Sequence, residues 1–392
     1  MSPCVVLVGG GPAGAAAALV LARRGVRAVV LEARSAPGPK VGECLPPSLT
    51  PLLRHLGLED LLERDGHLRS QGNRFVWGSP RPGERPFLAG LRGEGWHVDR
   101  ARFESRLAER ALSAGADWRW GWRVLGCERA GAGWRLDLCG PDGRREPMAA
   151  DFVADATGRP ARLARQLGAR RVRYDRLIGA AALLESRTPA VDTYTLVEAM
   201  PDGWWYSALL ADGRLAVAFM TDADLLGRTD WQERLAETRE TRARVEDHGY
   251  RRTAALRILP AESSRLDRIA GEGWLALGDA AAAYDPLSSH GIGSALGSGF
   301  YAGHAIADLL AGRSEARLAY LGVLQEAYGA YLDLQRRHYA VERRWPAAPF
   351  WQRRHAPEYA VVPLETRVDG PPASGSSPPR RVEDLPQRAS AP

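Results

Sequence analysis

Six residues near the start of the chain, Gly9-Gly10-Gly11-Pro12-Ala13-Gly14, restrict the fold more than any other stretch. The apolar run that leads into them, Cys4 to Gly9, predicts a short buried strand. The alanine-rich stretch Pro12 to Arg24 predicts a helix opened by a proline and closed near Gly25. Gly9, Gly11 and Gly14 stand at the GxGxxG spacing. In that spacing the first glycine allows a tight turn, the second lets backbone approach a pyrophosphate, and the third lets helix pack closely on strand. Pro12 and Ala13 form the first helical turn, whose free N–H groups and dipole favour an anion. Val26 to Leu31 reads as a second strand, ending at Glu32, an acid placed to accept ribose hydroxyl bonds. Strand, glycine turn, helix and strand open a βαβ unit with a parallel sheet, and the expected ligand is a dinucleotide.

Composition narrows the class by exclusion. The chain has 392 residues, 45% hydrophobic and 26% charged, enough for one large or two interleaved domains. No run of about 20 residues is apolar throughout, so no membrane helix is expected. The apolar N-terminus lacks the basic start of a signal peptide. Cys4, Cys44, Cys127 and Cys139 form no CxxC pair, which predicts neither a metal site nor a disulfide framework and suits a reducing cytoplasm. The net charge of +6 is almost wholly arginine, with Lys40 the only lysine. This excess suits an anionic cofactor or an acidic partner. No zinc-finger or RNA-recognition pattern is present, so nucleic acid is not an expected partner.

Further along, Pro46 to Leu56 predicts a helix, as does Asp99 to Ala114 with Asp99 as its cap. Phe152 to Ala156 reads as a strand that runs into Thr157-Gly158. From about Arg176 to Thr221 short β-rich runs, Tyr194–Ala199, Trp205–Leu210 and Leu215–Met220, alternate with turn signals. They predict an antiparallel sheet. Trp231 to Glu246 reads as one charged helix, Trp274 to Leu277 as a returning strand, and Ser294–Leu310 and Ala316–Trp345 as long helices. The organisation expected is an α/β fold. A Rossmann-like domain from 1–72, 98–170 and 265–315 is interleaved with a substrate domain from 73–97 and 171–264. A helical region, 316–365, and a disordered tail, 366–392, follow.

The strand at Trp274 leads into Gly278-Asp279-Ala280-Ala281, and then Asp285-Pro286-Leu287-Ser288-Ser289-His290-Gly291-Ile292-Gly293 opens a helix. This pair of segments resembles the GD motif of FAD-dependent aromatic hydroxylases. The resemblance implies that Asp279, after Gly278, holds the ribityl chain and that Pro286, Gly291, Ile292 and Gly293 border the isoalloxazine. Asp155-Ala156-Thr157-Gly158 is similar to the segment that lies near the ADP part in that superfamily, which implicates Asp155 and Gly158. Arg102 matches an arginine that contacts the flavin's phosphate or ribityl region. The implied cofactor is FAD. No second complete GxGxxG exists, so electrons would come from transient NAD(P)H contact or a separate flavin reductase.

Gly42-Glu43-Cys44-Leu45-Pro46-Pro47, the segment Gly72 to Ser79, and Glu342-Arg343-Arg344-Trp345-Pro346 with Pro349-Phe350-Trp351 together resemble the flavoproteins that mature tryptophylquinone cofactors. Those proteins are partners of lysine ε-oxidase, glycine oxidase and quinohaemoprotein amine dehydrogenase. The resemblance implies hydroxylation of a tryptophan side chain in a partner polypeptide, the precursor of a quinoprotein, through a C4a-hydroperoxyflavin. Flavin halogenases of indoles carry a directing lysine after the Gly-Glu segment, whereas Lys40 precedes it. Gly203-Trp204-Trp205-Tyr206 matches their tryptophan-bearing motif only in part. Lys40, Ser289 and His290 are the expected catalytic or flavin-facing side chains, with His290 a candidate base. Trp96, His97, Trp204, Trp205 and Tyr206 are the expected aromatic pocket. Other readings stay open: a small-molecule hydroxylase, epoxidase or halogenase-like enzyme, a geranylgeranyl-reductase-like enzyme, and a FAD-bound chaperone.

Overall fold

A computed structural model of the chain describes residues 3–87, 93–227 and 230–356. The tail expected at 366–392 lies outside the described residues. The first strand, Cys4–Val8, is central to a six-stranded sheet, between Arg27–Glu32 and Phe152–Asp155. Asp117–Trp120 extends the sheet on one side, and Trp274–Ala276 with Ala270–Gly271 extends it on the other. All neighbours pair in parallel except the last hairpin. Val5, Val6 and Leu7 have no exposure, as expected for a parallel sheet covered on both faces. Register places Val8 opposite both Leu31 and Asp155, and Asp155 opposite Ala276. The carboxyl ends of these strands therefore form one edge, where ligands bind in open α/β sheets.

The helix Pro12–Arg23 packs against the helix Gly291–Leu310 at very short range. A Cβ built on Gly299 would stand 2.2 Å from the Ala13 carbonyl oxygen, and one on Gly303 would stand 2.7 Å from the Val20 Cβ. The glycine-rich face of the later helix is thus a packing requirement. It also brings the Pro286–Gly293 loop, more than 270 residues away in sequence, beside the glycine turn.

The second sheet is built on the antiparallel strands Leu177–Glu185, Leu215–Asp222, Gly203–Leu209 and Thr195–Met200. Gly72–Val76 joins it in parallel beside Thr195–Met200, followed by Gly83–Pro86. Side chains alternate between its faces. Trp205, Leu209 and Phe219 pack under Trp231 and Leu235 on one face. Trp204, Tyr206 and Met220 pack with Tyr339, Phe350 and Trp351 on the other. A third sheet, Arg123–Ala130, Gly133–Cys139 and Arg145–Ala150, was not anticipated from sequence; it supplies Leu136 and Leu138 to the main core.

Two helices differ from the sequence reading. The expected helix Trp231–Glu246 is two, Trp231–Ala236 and Glu240–Glu246. The break is caused by Glu198, a buried acid on the sheet. Its carboxylate accepts from the Arg239, Glu240 and Thr241 amides at 2.8, 3.2 and 2.8 Å and from the Thr241 hydroxyl at 2.7 Å, so a new helix starts there. The helix expected to reach Trp345 ends at Val341. Glu342 turns inward there, pairs with Arg344 at 2.5 Å and accepts the Gly78 amide at 2.8 Å. Among the described residues no helix is long and apolar enough to cross a membrane.

Candidate active site

Gly9 has φ +112°, and a Cβ there would lie 2.3 Å from the Ala156 carbonyl oxygen. A Cβ on Gly14 would lie 2.1 Å from the Gly9 carbonyl oxygen, whereas one on Gly11 meets nothing within 4 Å. The turn is therefore closed where helix and strands must touch and open at Gly11, the position that turns of this spacing leave for a pyrophosphate. Gly11 is followed directly by the helix, with Pro12 and Ala13 in its first turn. Glu32 Oε2 accepts the Gly10 amide at 2.7 Å and Oε1 the Arg34 amide at 2.9 Å, which pins the turn to the end of the second strand. Asp279 sits on a short 3₁₀ turn after Gly278, with its carboxylate 36% exposed and 3.8 Å from the Arg159 Nε. An open cradle, a helix N-terminus and an accessible acid at one sheet edge fit a flavin dinucleotide.

Asp155 plays a different part from the one its position suggested. Its Oδ1 accepts the Thr157 amide and hydroxyl at 2.9 and 2.7 Å, and its Oδ2 accepts the Ala164 amide at 2.7 Å. Both oxygens are spent on shaping the turn that carries Gly158, which has φ +75°. Arg102 donates to the Asp65 carbonyl. Lys40 forms an ion pair with Glu104, whose other oxygen takes Arg100 at 2.6 Å. Burial lowers the Lys40 ammonium from its ordinary range, and Glu104 opposes the shift.

The loop Pro286–Ser288 is anchored from behind by the buried Asp285. Its Oδ1 caps the Leu287 amide at 2.9 Å, and its Oδ2 accepts the Tyr339 hydroxyl at 2.7 Å and the Gln335 amide at 3.1 Å. Tyr339 in turn accepts the Trp204 indole N–H at 3.1 Å. Ser289 adopts φ +52°, a strained conformation for a residue with a Cβ. His290 is exposed; its Nδ1 lies 2.6 Å from the Ser288 carbonyl oxygen, and its ring stacks on Tyr284 at 6.3 Å. Gly291, Ile292 and Gly293 begin the helix that carries this loop to the glycine turn.

Of the five expected pocket aromatics, the structure brings two together. Trp204 and Tyr206 share the sheet face beneath the loop, while Trp205 lies on the opposite face against Phe219 and Trp231. His97 is fully buried between the Leu209 carbonyl at 2.9 Å and the Thr195 hydroxyl at 2.8 Å, and burial lowers it to about 4. Trp96 faces away, beneath Arg69 at 5.1 Å.

Two acids that sequence reasoning left without roles also stand here. One is Asp285. The other is Glu43, 1% exposed, whose Oε2 accepts the Tyr206 hydroxyl at 3.1 Å. The signal for Glu43 was a lone charge in the run Val41 to Pro47. The segments Gly42–Pro47, Gly72–Ser79 and Arg343–Trp351 converge. Trp77 lies 5.3 Å from Trp351 and donates to the His338 carbonyl at 2.8 Å, and Arg344 donates to the Val76 carbonyl at 3.3 Å.

Comparison with known proteins places this arrangement. LodB of Marinomonas mediterranea, described as an FAD-dependent oxidoreductase, is 29% identical over 360 residues, covering 90% of this chain and 96% of LodB. The structure of QhpG, a peptidyl tryptophan dihydroxylase essential for tryptophylquinone cofactor biogenesis, covers 92% of this chain and 80% of its own at TM-score 0.74 and 27% identity. The myxobacterial chondrochloren halogenase CndH shares the fold at TM-score 0.83 and 23% identity, over 91% of this chain and 87% of its own. Residues 3–320 match the family described as the FAD binding domain, so the chain belongs to that family and is an FAD-dependent enzyme.

Proposed function

We propose that this flavoprotein is a monooxygenase that inserts oxygen into a tryptophan side chain of a partner polypeptide during formation of a tryptophylquinone cofactor. The observation that carries the reading is the convergence of the three chain segments on one aromatic cluster under the Asp285–His290 loop. The similarity to LodB along nearly the whole of both chains and the 27% identity to QhpG support it. Bound FAD supplies the redox chemistry that activates oxygen. The protein's own part is to hold the loop in place through Asp285, to keep the wall of Trp204, Tyr339 and Trp351 dry, and to present Ser289 and His290 at the loop's edge. Binding energy from remote parts of a polypeptide would seat the ring, so free tryptophan would react poorly. Electrons would come from a flavin reductase or from NAD(P)H.

Incubation of the holoprotein with a reductant, 18O2 and a quinoprotein precursor encoded nearby should give a mass gain on a tryptophan of that precursor. Oxidation of a free small aromatic with no label in any precursor would overturn the reading. Halogenation is disfavoured because the single lysine, Lys40, is held by Glu104. A halotryptophan formed when chloride or bromide is supplied would reverse that judgement.

A further inference from the structure

Glu43 is the one buried carboxylate whose oxygen, Oε1, lacks a hydrogen-bond partner among the described residues. Leaving such a group unmet is costly in a sealed interior. The nearby cations do not answer it. Arg100 donates to the Gly42 carbonyl at 2.9 Å and to Glu104 at 2.6 Å, and Lys40 pairs with the other oxygen of Glu104. The second oxygen of Glu43 is fixed by Tyr206, so the carboxylate cannot turn without breaking a bond made from the opposite sheet. The next residue, Cys44, pairs antiparallel with His97 of the strand Gly95–His97. Val41 and Leu287 pack into the same cluster as Trp204 and Tyr206. Glu43 thus lies where the segment 41–45 meets the second sheet, close to Leu287 of the loop.

We propose that Glu43 Oε1 accepts the ring N–H of the substrate indole and fixes which edge of the ring faces the flavin. This rests on the reading that the substrate is an indole. Burial pushes the Glu43 carboxyl up; the Gly42 backbone amide, Tyr206 and Arg100 oppose the shift, though neither the amide nor Arg100 reaches Oε1 in hydrogen-bond geometry, and the Cys44 thiol is a further titratable neighbour. The carboxyl accepts a hydrogen bond through an oxygen in either protonation state.

The test uses FAD-loaded protein and two probes, 3-methylindole and 1,3-dimethylindole, each titrated against the oxidised flavin spectrum. Wild type should prefer the N–H probe by about 10-fold or more. Glu43→Met should lose that preference while binding 1,3-dimethylindole as wild type does, and Glu43→Gln, which keeps an acceptor, should fall between. Equal affinity of wild type for the two indoles, or an undiminished N–H preference in Glu43→Gln or Glu43→Met, would overturn the role of Glu43 and leave the indole reading standing. Wild type that binds neither indole but does bind a phenol would sink the indole reading and the assignment with it.

Discussion

The two sheets of this molecule make their sites in different ways. At the parallel sheet the candidate cofactor site is mostly backbone: a turn of consecutive glycines, a helix end and strand ends brought level by register. At the antiparallel sheet the site is made of single side chains from distant places, with Glu43, Tyr206, Asp285 and Tyr339 meeting across gaps of 54 to 163 residues. A backbone site tolerates changes of side chain but not of shape. A side-chain site has the opposite sensitivity, and substitutions in the two regions should therefore fail in different ways.

The largest effect is expected at Asp222, which is 1% exposed and pairs with the buried Arg354 at 2.8 Å. Asp222→Ala strands that guanidinium and should cost about 3–5 kcal/mol of stability, read from denaturant midpoints. Protein that still folds should bind FAD as before. A matching loss of FAD affinity would show that the two regions are not separable. Gly11→Val is the converse. A side chain in the open space at Gly11 should weaken FAD binding by about 100-fold or more, roughly 3 kcal/mol, with little change in the melting of the apoprotein. Full FAD occupancy would move the phosphate site elsewhere.

A third effect appears only with pH. His97 is held near 4 in the folded protein against 6.5 when free. The unfolded chain therefore takes up the proton first, and stability is lost as pH falls from about 6.5 towards 4. At pH 5 the loss from this group should be about 2 kcal/mol. His97→Asn should remove that part of the slope, seen as the difference between wild-type and variant curves. Curves that stay parallel would mean that His97 is not buried as neutral imidazole. The smallest effect is expected at Glu198. Glu198→Gln keeps one acceptor but loses the charge at the helix start and should cost about 1–2 kcal/mol. Amide hydrogen exchange should show the loss of protection concentrated in the helix Glu240–Glu246.

The same contrast explains what the sequence disclosed. The packing roles of Gly9 and Gly14 could be read because their work is local: spacing and flanking elements determine the turn. The strands around Trp204 could also be read, since alternation and turn residues are local. The face each aromatic occupies depends on register, so Trp204 and Trp205, adjacent in sequence, were grouped although they end on opposite sides. Asp155 looked like a ligand because its segment resembles one, yet three donors within nine residues claim it. Glu198 broke a helix 40 residues away, and nothing in the charged run 231–246 records that acid. Glu43 needs a partner from the opposite sheet before its burial has any meaning.

Phe350 and Trp351 have no exposure and close the face on which Trp204 lies. During synthesis they leave the ribosome some 150 residues after that sheet strand does. Until then the nascent protein carries an open apolar floor, while the glycine turn and all six strands of the parallel sheet, complete by Ala276, are already made. The candidate flavin site can therefore be complete before that floor is covered. The helix Pro349–His355, the last among the described residues, is then what covers that floor.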